Sequence, residues 1–300
     1  MKLATTTGDF SPYTSSQIQA LEWIRQSGFR YADYNFGIDL GAKRGIYSDS
    51  PEAYLKEVKK ATEELGVRFV QAHAPMGKPL DPEAEEFRKN TFRCIRACEV
   101  LGIENLVVHS GYAEGLTKEE CFARNRDFFL PLLEEGERRG VNILVENFNK
   151  MTRPETLYWV DNAPDLLTLI QFVNHPRFHA VWDTGHGNLQ EMPQCEALGL
   201  LGKEIKALHV QDNMGNKDAH MLPLSGSTSM DSVMQGLLAI HYQGYFTFEA
   251  NRIFLPARSR RPHDGELRLA TPPLSLRLAA ERLLYETGKT ILSAYDVYEE

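Results

Sequence analysis

Short runs rich in apolar, β-branched and aromatic residues alternate with longer amphipathic stretches from one end of the chain to the other. Each short run has the length of a strand, and each longer stretch has apolar residues at helical spacing. Strands are predicted at residues 2–6, 29–34, 68–73, 105–109, 143–146, 179–183, 207–210 and 245–249. Helices are predicted between them, most clearly over 51–65, 82–101, 118–139 and 231–241. The alternation predicts βαβ units around a parallel sheet.

A glycine stands at several junctions between a predicted helix and the next strand. These junctions read SGFR, LGVRF, LGIENL, RGVNI and QGYF. Glycine commonly closes a helix in the left-handed conformation, so the repeated junction supports the predicted element order. No G-x-G-x-x-G follows the first strand. Eight units in one chain therefore favour an α/β fold of the closed (β/α)8 type, a TIM barrel, over an open doubly wound sheet.

The eight units leave no linker between them, so a single domain over residues 1–300 is expected. One irregular segment, at about 252–273, follows the last strand and contains the basic run Arg-Ser-Arg-Arg-Pro. We interpret its arginines as a solvated surface. A helix over about 274–292 is predicted to close the chain.

Composition narrows the class of protein. Hydrophobic residues make up 42% and charged residues 25% of the sequence, as in ordinary soluble globular proteins. The net charge of -8 argues against a broad phosphate-binding surface, so nucleic acid is not an expected partner. The sequence contains neither the apolar run of a signal peptide nor the run of about 18 apolar residues that a membrane span needs. We therefore expect a cytoplasmic protein with no membrane partner.

The predicted strands end in a non-random set of side chains. In a barrel, the residues that converge on a ligand lie at the C-terminal ends of the strands. From the third predicted strand to the eighth, each strand ends in a side chain that can bind a metal: His73, His109, Glu146, Asp183, His209 and Glu249.

Three of these residues are acidic, and carboxylates buried together repel one another unless a cation neutralises them. We therefore predict a divalent metal bound by Glu146, Asp183, Glu249 and His209. Oxygen and imidazole ligands suit manganese, magnesium, cobalt or zinc, and the sequence does not choose among them. Each residue alone could equally be a buried hydrogen-bonded group or a helix cap, so the prediction rests on the joint pattern.

Further candidates lie in the loops after strands six and seven. His186 stands three residues after Asp183, and Asp218 and His220 form an Asp-x-His pair. Alternate side chains of an extended backbone face the same way, so this pair can act at one site. These three residues could serve as additional metal ligands, support other ligands or contact a substrate.

Together the motifs resemble a known superfamily. HAP, VHSG, VEN, DTGH, HVQD, DAH and FEAN, with YADYNF on the second strand, resemble the xylose isomerase-like barrels in order and spacing. That superfamily includes sugar isomerases and epimerases, sugar-phosphate isomerases, inositol-catabolism enzymes and endonuclease IV. The resemblance covers nearly the whole chain.

The resemblance implies a metal-dependent sugar, sugar-acid or sugar-phosphate isomerase or epimerase with a small carbohydrate substrate. Its metal ligands would be the four residues named above, with Glu146 and Glu249 as catalytic acid and base and His186 in contact with substrate. Proton abstraction next to a carbonyl would form an enediolate. Ketose 3-epimerases carry a further Glu and Arg where this chain has Thr152 and Gly215, so a free ketohexose is not implied. A dehydratase of the inositol-catabolism type would use the same chemistry.

The rival implication is a trinuclear zinc phosphodiesterase resembling endonuclease IV. All nine of that enzyme's ligand types have counterparts here: His73, His109, Glu146, Asp183, His209, Glu249, His186, Asp218 and His220. Against it, the segment after strand two is mixed in charge rather than rich in arginine.

A catalytically idle binding barrel would be expected to lose one of the catalytic glutamates. Aromatic residues such as Phe10 and Phe148 could line a sugar pocket or belong to the core. Barrels of this kind can also form homo-oligomers.

Overall fold

The computed structural model describes residues 1–48, 50–81, 85–148, 159–254 and 271–300. Eight strands in these ranges form one sheet. They are β1 Lys2–Thr6, β2 Tyr31–Asn35, β3 Arg68–His73, β4 Asn105–Val108, β5 Asn142–Glu146, β6 Phe178–Asp183, β7 Ile205–His209 and β8 Tyr245–Thr247.

The sheet runs in the order β7-β6-β5-β4-β3-β2-β1-β8, with parallel pairing between neighbours. Its two edges meet at a parallel bridge between Val210 and Phe248. There the Val210 amide donates to the Thr247 carbonyl at 2.8 Å, and the Glu249 amide donates to the Val210 carbonyl at 3.1 Å. This junction brings the edges together as a nearly closed barrel, which confirms the predicted (β/α)8 fold.

Helices follow the strands around the outside of the barrel. Those in the described ranges are α1 Gln17–Gln26, α2 Phe36–Gly41, α3 Pro51–Leu65, α4 Glu85–Leu101, α5 Lys118–Arg139, α6 Ala163–Val173, α7 Thr184–Asn188, α8 Gln194–Leu201, α9 Met230–Ala239 and α10 Leu274–Ser293. None of the helices in this described part is both long and apolar enough to cross a membrane.

Helix bounds follow the sequence prediction closely. The helices predicted over 51–65 and 118–139 are confirmed to the residue, and the closing helix extends one residue beyond its predicted end. The helix predicted over 82–101 is described only from Glu85, because residues 82–84 lie outside the described ranges. The helix predicted over 231–241 ends at Ala239, because His241 adopts a left-handed φ of 54° that an α-helix cannot accommodate.

Three strand predictions are wrong by two residues at one end. The seventh strand begins at Ile205 rather than residue 207. The second strand begins at Tyr31 rather than residue 29. Phe29 is instead part of the outer core, where its ring meets Phe248 at 6.1 Å and Tyr285 at 5.1 Å. The eighth strand ends at Thr247 rather than residue 249, because beyond it the pairing with β7 reduces to the single bridge.

The predicted glycine caps are mostly confirmed. Gly66 and Gly140 end α3 and α5 at φ values of 61° and 72°. The prediction is wrong for Gly244, whose φ is not in the left-handed region. At that junction the left-handed residue is His241.

The core has two parts. Most apolar side chains fill the space between the sheet and the helices. Inside the barrel, Val107, Leu144, Val181 and Ala207 form a separate apolar cluster from four adjacent strands. Each of these residues lies two positions or fewer from the end of its strand, so the cluster forms a floor beneath the polar strand ends.

That residues 1–300 form one domain stays a prediction, and most of the predicted irregular segment lies outside the described ranges.

Candidate metal centre

All nine candidate residues lie at one end of the barrel. His73, Glu146, Asp183 and His209 are the last residues of β3, β5, β6 and β7. His109 directly follows β4, and Glu249 lies two residues beyond β8. His186 belongs to the short helix α7, and Asp218 and His220 lie in the loop after β7. Parallel strands in a closed barrel end together, which is why residues far apart in sequence converge here.

The four predicted metal ligands form one group, here called the central group: Glu146, Asp183, His209 and Glu249. One ligand atom from each lies within 4.8 Å of the others. Nδ1 of His209 is 2.9 Å from Oε1 of Glu146 and 3.5 Å from Oε2 of Glu249. Asp183 and Glu146 are fully buried, whereas 18% of the Glu249 side chain is exposed. Glu249 is therefore the carboxylate of this group that is most accessible to a substrate.

A second group, the histidine pair, shares Glu146. Nε2 of His109 lies 3.2 Å from Oε2 of Glu146 and 3.1 Å from Nε2 of His73. Nε2 of His73 lies 3.6 Å from the same carboxylate oxygen. The Nδ1 atom of His73 contacts the Ala74 carbonyl at 2.6 Å, which orients Nε2 toward Glu146. This arrangement gives Glu146 one oxygen toward the central group and one toward the pair.

The third group, the loop group, consists of His186, Asp218 and His220. Oδ2 of Asp218 lies between the two imidazoles, 3.4 Å from Nε2 of His186 and 3.2 Å from Nε2 of His220. Each imidazole is oriented from its other side, because Nδ1 of His186 contacts the Asn147 carbonyl at 2.9 Å and Nδ1 of His220 contacts the Glu249 carbonyl at 2.8 Å.

Burial and neighbouring charges together shift the pKa values of the central group. Burial raises the pKa of Asp183 to about 6, and the nearby carboxylates of Glu146 and Glu249 add to the rise. Burial would also raise the pKa of Glu146, but the contacts with His209, His73 and His109 outweigh it and hold that pKa well below its usual range. Burial would lower the pKa of His209, yet the surrounding carboxylates raise it well above normal. The carboxylates of the central group therefore favour a positive charge between them.

The other imidazoles divide into two kinds. Burial lowers the pKa of His109 to about 3, so this ring is neutral at pH 7 and keeps a lone pair for a ligand. Burial opposes protonation of His220 too, but Asp218 raises its pKa to about 10. The imidazoles of His220 and His186 overcome burial and hold the pKa of Asp218 below its usual range. Binding a metal at the loop group would therefore release protons.

Two buried atoms support the fit to a divalent cation. Oε2 of Glu146 and Nε2 of His186 are inaccessible to solvent and have no partner of hydrogen-bond geometry. Buried polar atoms usually have a partner, and an unpaired carboxylate oxygen is especially costly. The donor set consists of carboxylate oxygens and imidazole nitrogens, which suits manganese, cobalt or zinc and, with fewer nitrogen ligands, magnesium. The central group could thus hold such an ion.

Sequence reasoning missed the amide side chains that support these groups. Asn147 holds the Asp183 backbone at both ends, accepting from its amide at 2.7 Å and donating to its carbonyl at 3.0 Å. Gln211 donates to Oδ1 of Asp218 at 2.9 Å and accepts from the His220 amide at 3.1 Å. The sequence did offer a signal for them, because Asn147 lies in the VEN motif and Gln211 in the HVQD motif, each close to a predicted metal ligand.

Asp33 is a further residue without a predicted role. It lies inside the barrel on β2, where Gln71 donates to its Oδ2 at 2.9 Å. Thr247 donates in turn to Oε1 of Gln71 at 3.0 Å. Oδ2 of Asp33 is also 3.8 Å from Nε2 of His209. A carboxylate thus stands behind one candidate metal ligand.

A cavity of about 410 Å³ opens onto all three groups. Phe148 lines it, with its ring 4.7 Å from His186 and 5.5 Å from His109. Phe10 does not: it is fully buried and packs 5.4 Å from Trp23 in the core. Arg252 and Asn251, which follow β8, also line the cavity. The cavity therefore combines an acidic metal-type centre with an aromatic wall and a guanidinium.

The fold agrees with comparison to known proteins. Residues 21–265 match the family described as xylose isomerase-like TIM barrel. The chain belongs to that family. The family assignment confirms the resemblance inferred from the motifs.

Individual relatives are more distant. An uncharacterized protein of Methanocaldococcus jannaschii is 29% identical over 253 residues, which cover 80% of this chain and 83% of that protein. Fructoselysine 3-epimerase of Escherichia coli O157:H7 is 27% identical over 148 residues, which cover 49% of this chain and 51% of that enzyme. The crystal structure of D-psicose 3-epimerase with D-tagatose from Clostridium cellulolyticum H10 aligns at TM-score 0.74 over 97% of this chain and 99% of that one, with 14% identity. At that identity the structural likeness shows the fold alone.

Proposed function

We propose that this protein is a divalent-metal-dependent isomerase or epimerase of a sugar, sugar acid or sugar phosphate. One observation carries the proposal: the carboxylates of Glu146, at the end of β5, and Glu249, two residues beyond β8, both lie within 3.5 Å of the same His209 nitrogen. Two carboxylates around one bound sugar can remove a proton at one face and return one at another. The similarity to fructoselysine 3-epimerase supports this choice of chemistry.

The roles follow from burial and position. Glu146, Asp183, His209 and Glu249 would hold the metal, which when bound would polarise a substrate carbonyl and hydroxyl. Glu249, the more exposed carboxylate, would take the proton from carbon. Glu146 would return it or act on the neighbouring oxygen, and His186 would donate to a substrate oxygen. The aromatic ring of Phe148 would pack against the sugar.

Solvent exchange tests this chemistry directly. The metal-loaded protein is incubated in deuterium oxide with a panel of ketoses and aldoses, their phosphates and their acids, and carbon-bound deuterium is measured by NMR. An accepted substrate should acquire deuterium, and Glu249→Gln should slow the exchange by about 10²- to 10⁴-fold. Glu204→Gln is the matched control, because Glu204 pairs with His179 at 2.8 Å where β7 begins, at the opposite end of the barrel. Turnover without solvent label, with internal proton return excluded by a deuterated substrate, would contradict the proposal.

The products also separate an isomerase from a dehydratase. Both would share the first proton transfer, but a dehydratase product is lighter than its substrate by one water. Mass spectrometry of the exchanged product therefore decides between them.

A second candidate function rests on a different observation. The three groups share Glu146 or adjoin it, and together they offer ligands for three metal ions. Three zinc ions could act on a phosphodiester as in endonuclease IV. Cleavage of DNA at an abasic site, lost on chelation and accompanied by three zinc ions per chain, would favour this candidate over the isomerase.

A further inference from the structure

Arg252 contributes a positive charge to a cavity that is otherwise rich in acidic groups. Among the described residues that line the cavity, it is the only lysine or arginine. It follows Glu249 by three residues, so the end of β8 brings a candidate catalytic carboxylate and a guanidinium to the same opening.

The guanidinium has no counter-ion among the described residues. Its Nη1 contacts the Asp218 carbonyl at 3.4 Å. The Asp218 carboxylate is directed elsewhere, toward Gln211 at 2.9 Å and toward the imidazoles of His186 and His220. An arginine beside so many acids would ordinarily form an ion pair, and its planar fork of donors is well suited to a carboxylate or phosphate.

The charge of the cavity makes this guanidinium important for an anionic ligand. Glu146, Asp218 and Glu249 all line the cavity and would repel a negative group, and the imidazoles of His186 and His220 are engaged with Asp218. A metal at the central group would offset part of that repulsion near the reacting carbon. A negative group elsewhere on the substrate would need a second positive charge, and Arg252 supplies it.

We propose that Arg252 binds an anionic substituent of the substrate, a phosphate or a carboxylate, while the central group acts on the sugar carbons. This inference rests on the proposed function, and it narrows the substrate class to sugar phosphates and sugar acids. It also accounts for the missing ketose 3-epimerase residues: a substrate held by its charge depends less on contacts to neutral hydroxyls.

Arg252 also connects two loops, and this contact defines the competing structural explanation. Its backbone amide donates to the His220 carbonyl at 3.1 Å, in addition to the side-chain contact with Asp218. A residue that only held the loop would affect neutral and anionic ligands alike. A residue that recognises charge would affect anionic ligands alone.

The experiment compares wild type, Arg252→Gln, Arg252→Lys and the control Arg93→Gln at equal metal loading. Arg93 is a half-exposed residue of α4 that does not line the cavity. Calorimetry measures the binding of inorganic phosphate, D-fructose, D-fructose 6-phosphate and D-fructuronate. Deuterium exchange is measured on the same three sugars, and Tm and metal content report on folding.

Arg252→Gln should weaken binding of phosphate and of the anionic sugars by about 10-fold to 100-fold, without changing the binding of D-fructose. Arg252→Lys should retain part of the affinity, and Arg93→Gln should match wild type. Of D-fructose 6-phosphate and D-fructuronate, the ligand that loses more affinity in Arg252→Gln carries the anion that the site accepts. Where exchange occurs, the defect should appear in KM rather than in kcat.

Equal losses for neutral and anionic sugars, or unchanged phosphate affinity in Arg252→Gln, would overturn the inference. Failure of the proposed function gives a different result: anionic ligands would bind in an Arg252-dependent way, yet no sugar would exchange with solvent. The two ideas can therefore fail separately.

Discussion

Oδ2 of Asp33 lies 3.8 Å from Nε2 of His209, on the side of the imidazole opposite the central group. Nδ1 of the same ring faces Glu146 and Glu249. A carboxylate behind Nε2 favours the tautomer with a proton there and leaves the Nδ1 lone pair for a metal. Gln71 holds that carboxylate in place from inside the barrel. Asp33 is thus a positioning residue for a candidate ligand.

Asp33→Asn should therefore lower metal affinity by about 10-fold to 100-fold while the protein stays folded. The amide can still occupy the space, but it stabilises the required tautomer of His209 less well. Affinity is measured by competition with a chelator, independently of any activity. Asp231→Asn is the control, because Asp231 lies on α9, away from the candidate metal centre, and its side chain accepts a hydrogen bond from the Tyr295 hydroxyl. Equal affinity in wild type and Asp33→Asn would show that the carboxylate does not orient the ligand.

The histidine pair allows a prediction about metal number. Under the proposed function one metal per chain is held by the central group, so native mass spectrometry should find one tightly bound ion. His109→Asn should leave that occupancy unchanged, whereas Asp183→Asn should abolish it. If native mass spectrometry instead finds three ions per chain, two of which a chelator removes, the phosphodiesterase is supported.

Sequence alone predicted the strand-end residues well because the barrel itself enforces their convergence. Once eight parallel strands close, His73, Glu146 and His209 must meet at one end whatever lies between them. Their roles as ligands remain predictions.

The sequence could not predict the register of the strands inside the barrel. Asp33 reaches His209 next to an irregularity in the β2–β3 pairing between Ala32 and Asp33, and no periodic pattern encodes such a shift.

Arg252 shows a second limit of sequence reasoning. It begins the segment at about 252–273, whose basic run was predicted to form a solvated surface, and it lines the cavity, which the sequence did not indicate. Loop residues have no hydrophobic periodicity to indicate their direction. The position of Arg252 depends on its bonds to His220 and Asp218, which are far from it in sequence. The arginines of the basic run itself lie outside the described ranges, so their role stays a prediction.

Asp39 should make stability depend on pH. Burial raises its pKa to about 6 from 3.8, although hydrogen bonds from Tyr34 and Gln17 oppose the rise. Because the folded state binds this proton more tightly, the contribution of Asp39 to stability is greatest below pH 4 and is lost as pH rises to about 6. Asp39→Asn should remove this dependence. The unfolding free energy of the variant relative to wild type should rise by about 2 kcal/mol between pH 4 and pH 7.

Urea denaturation at a series of pH values measures that difference. The comparison with wild type cancels the titration of groups that both proteins share. Asp231→Asn is a suitable control, because Asp231 is an exposed residue of α9. A difference between Asp39→Asn and wild type that stays constant from pH 4 to pH 7 would contradict the prediction.

Arg277 should be essential to the attachment of the closing helix. It lies buried on α10, donates to Oδ2 of Asp9 at 2.9 Å and also bonds to Glu281. Burial and the neighbouring Glu281 raise the pKa of Asp9 well above its usual range even with Arg277 present. Arg277→Met would leave two buried acids without a cation and should cost about 3–5 kcal/mol of unfolding free energy at pH 7. The loss should shrink at pH 5, where the carboxyls of the variant can take up protons.

Arg282→Met on the same helix is the matched control. Arg282 pairs with Glu286 at 3.0 Å, but 58% of its side chain is exposed. An exposed ion pair contributes at most about 1 kcal/mol, because water screens both charges. The loss of unfolding free energy, measured by chemical denaturation, should therefore be several-fold larger for Arg277→Met than for Arg282→Met. Equal losses would mean that the buried charges of α10 are compensated by something other than Arg277.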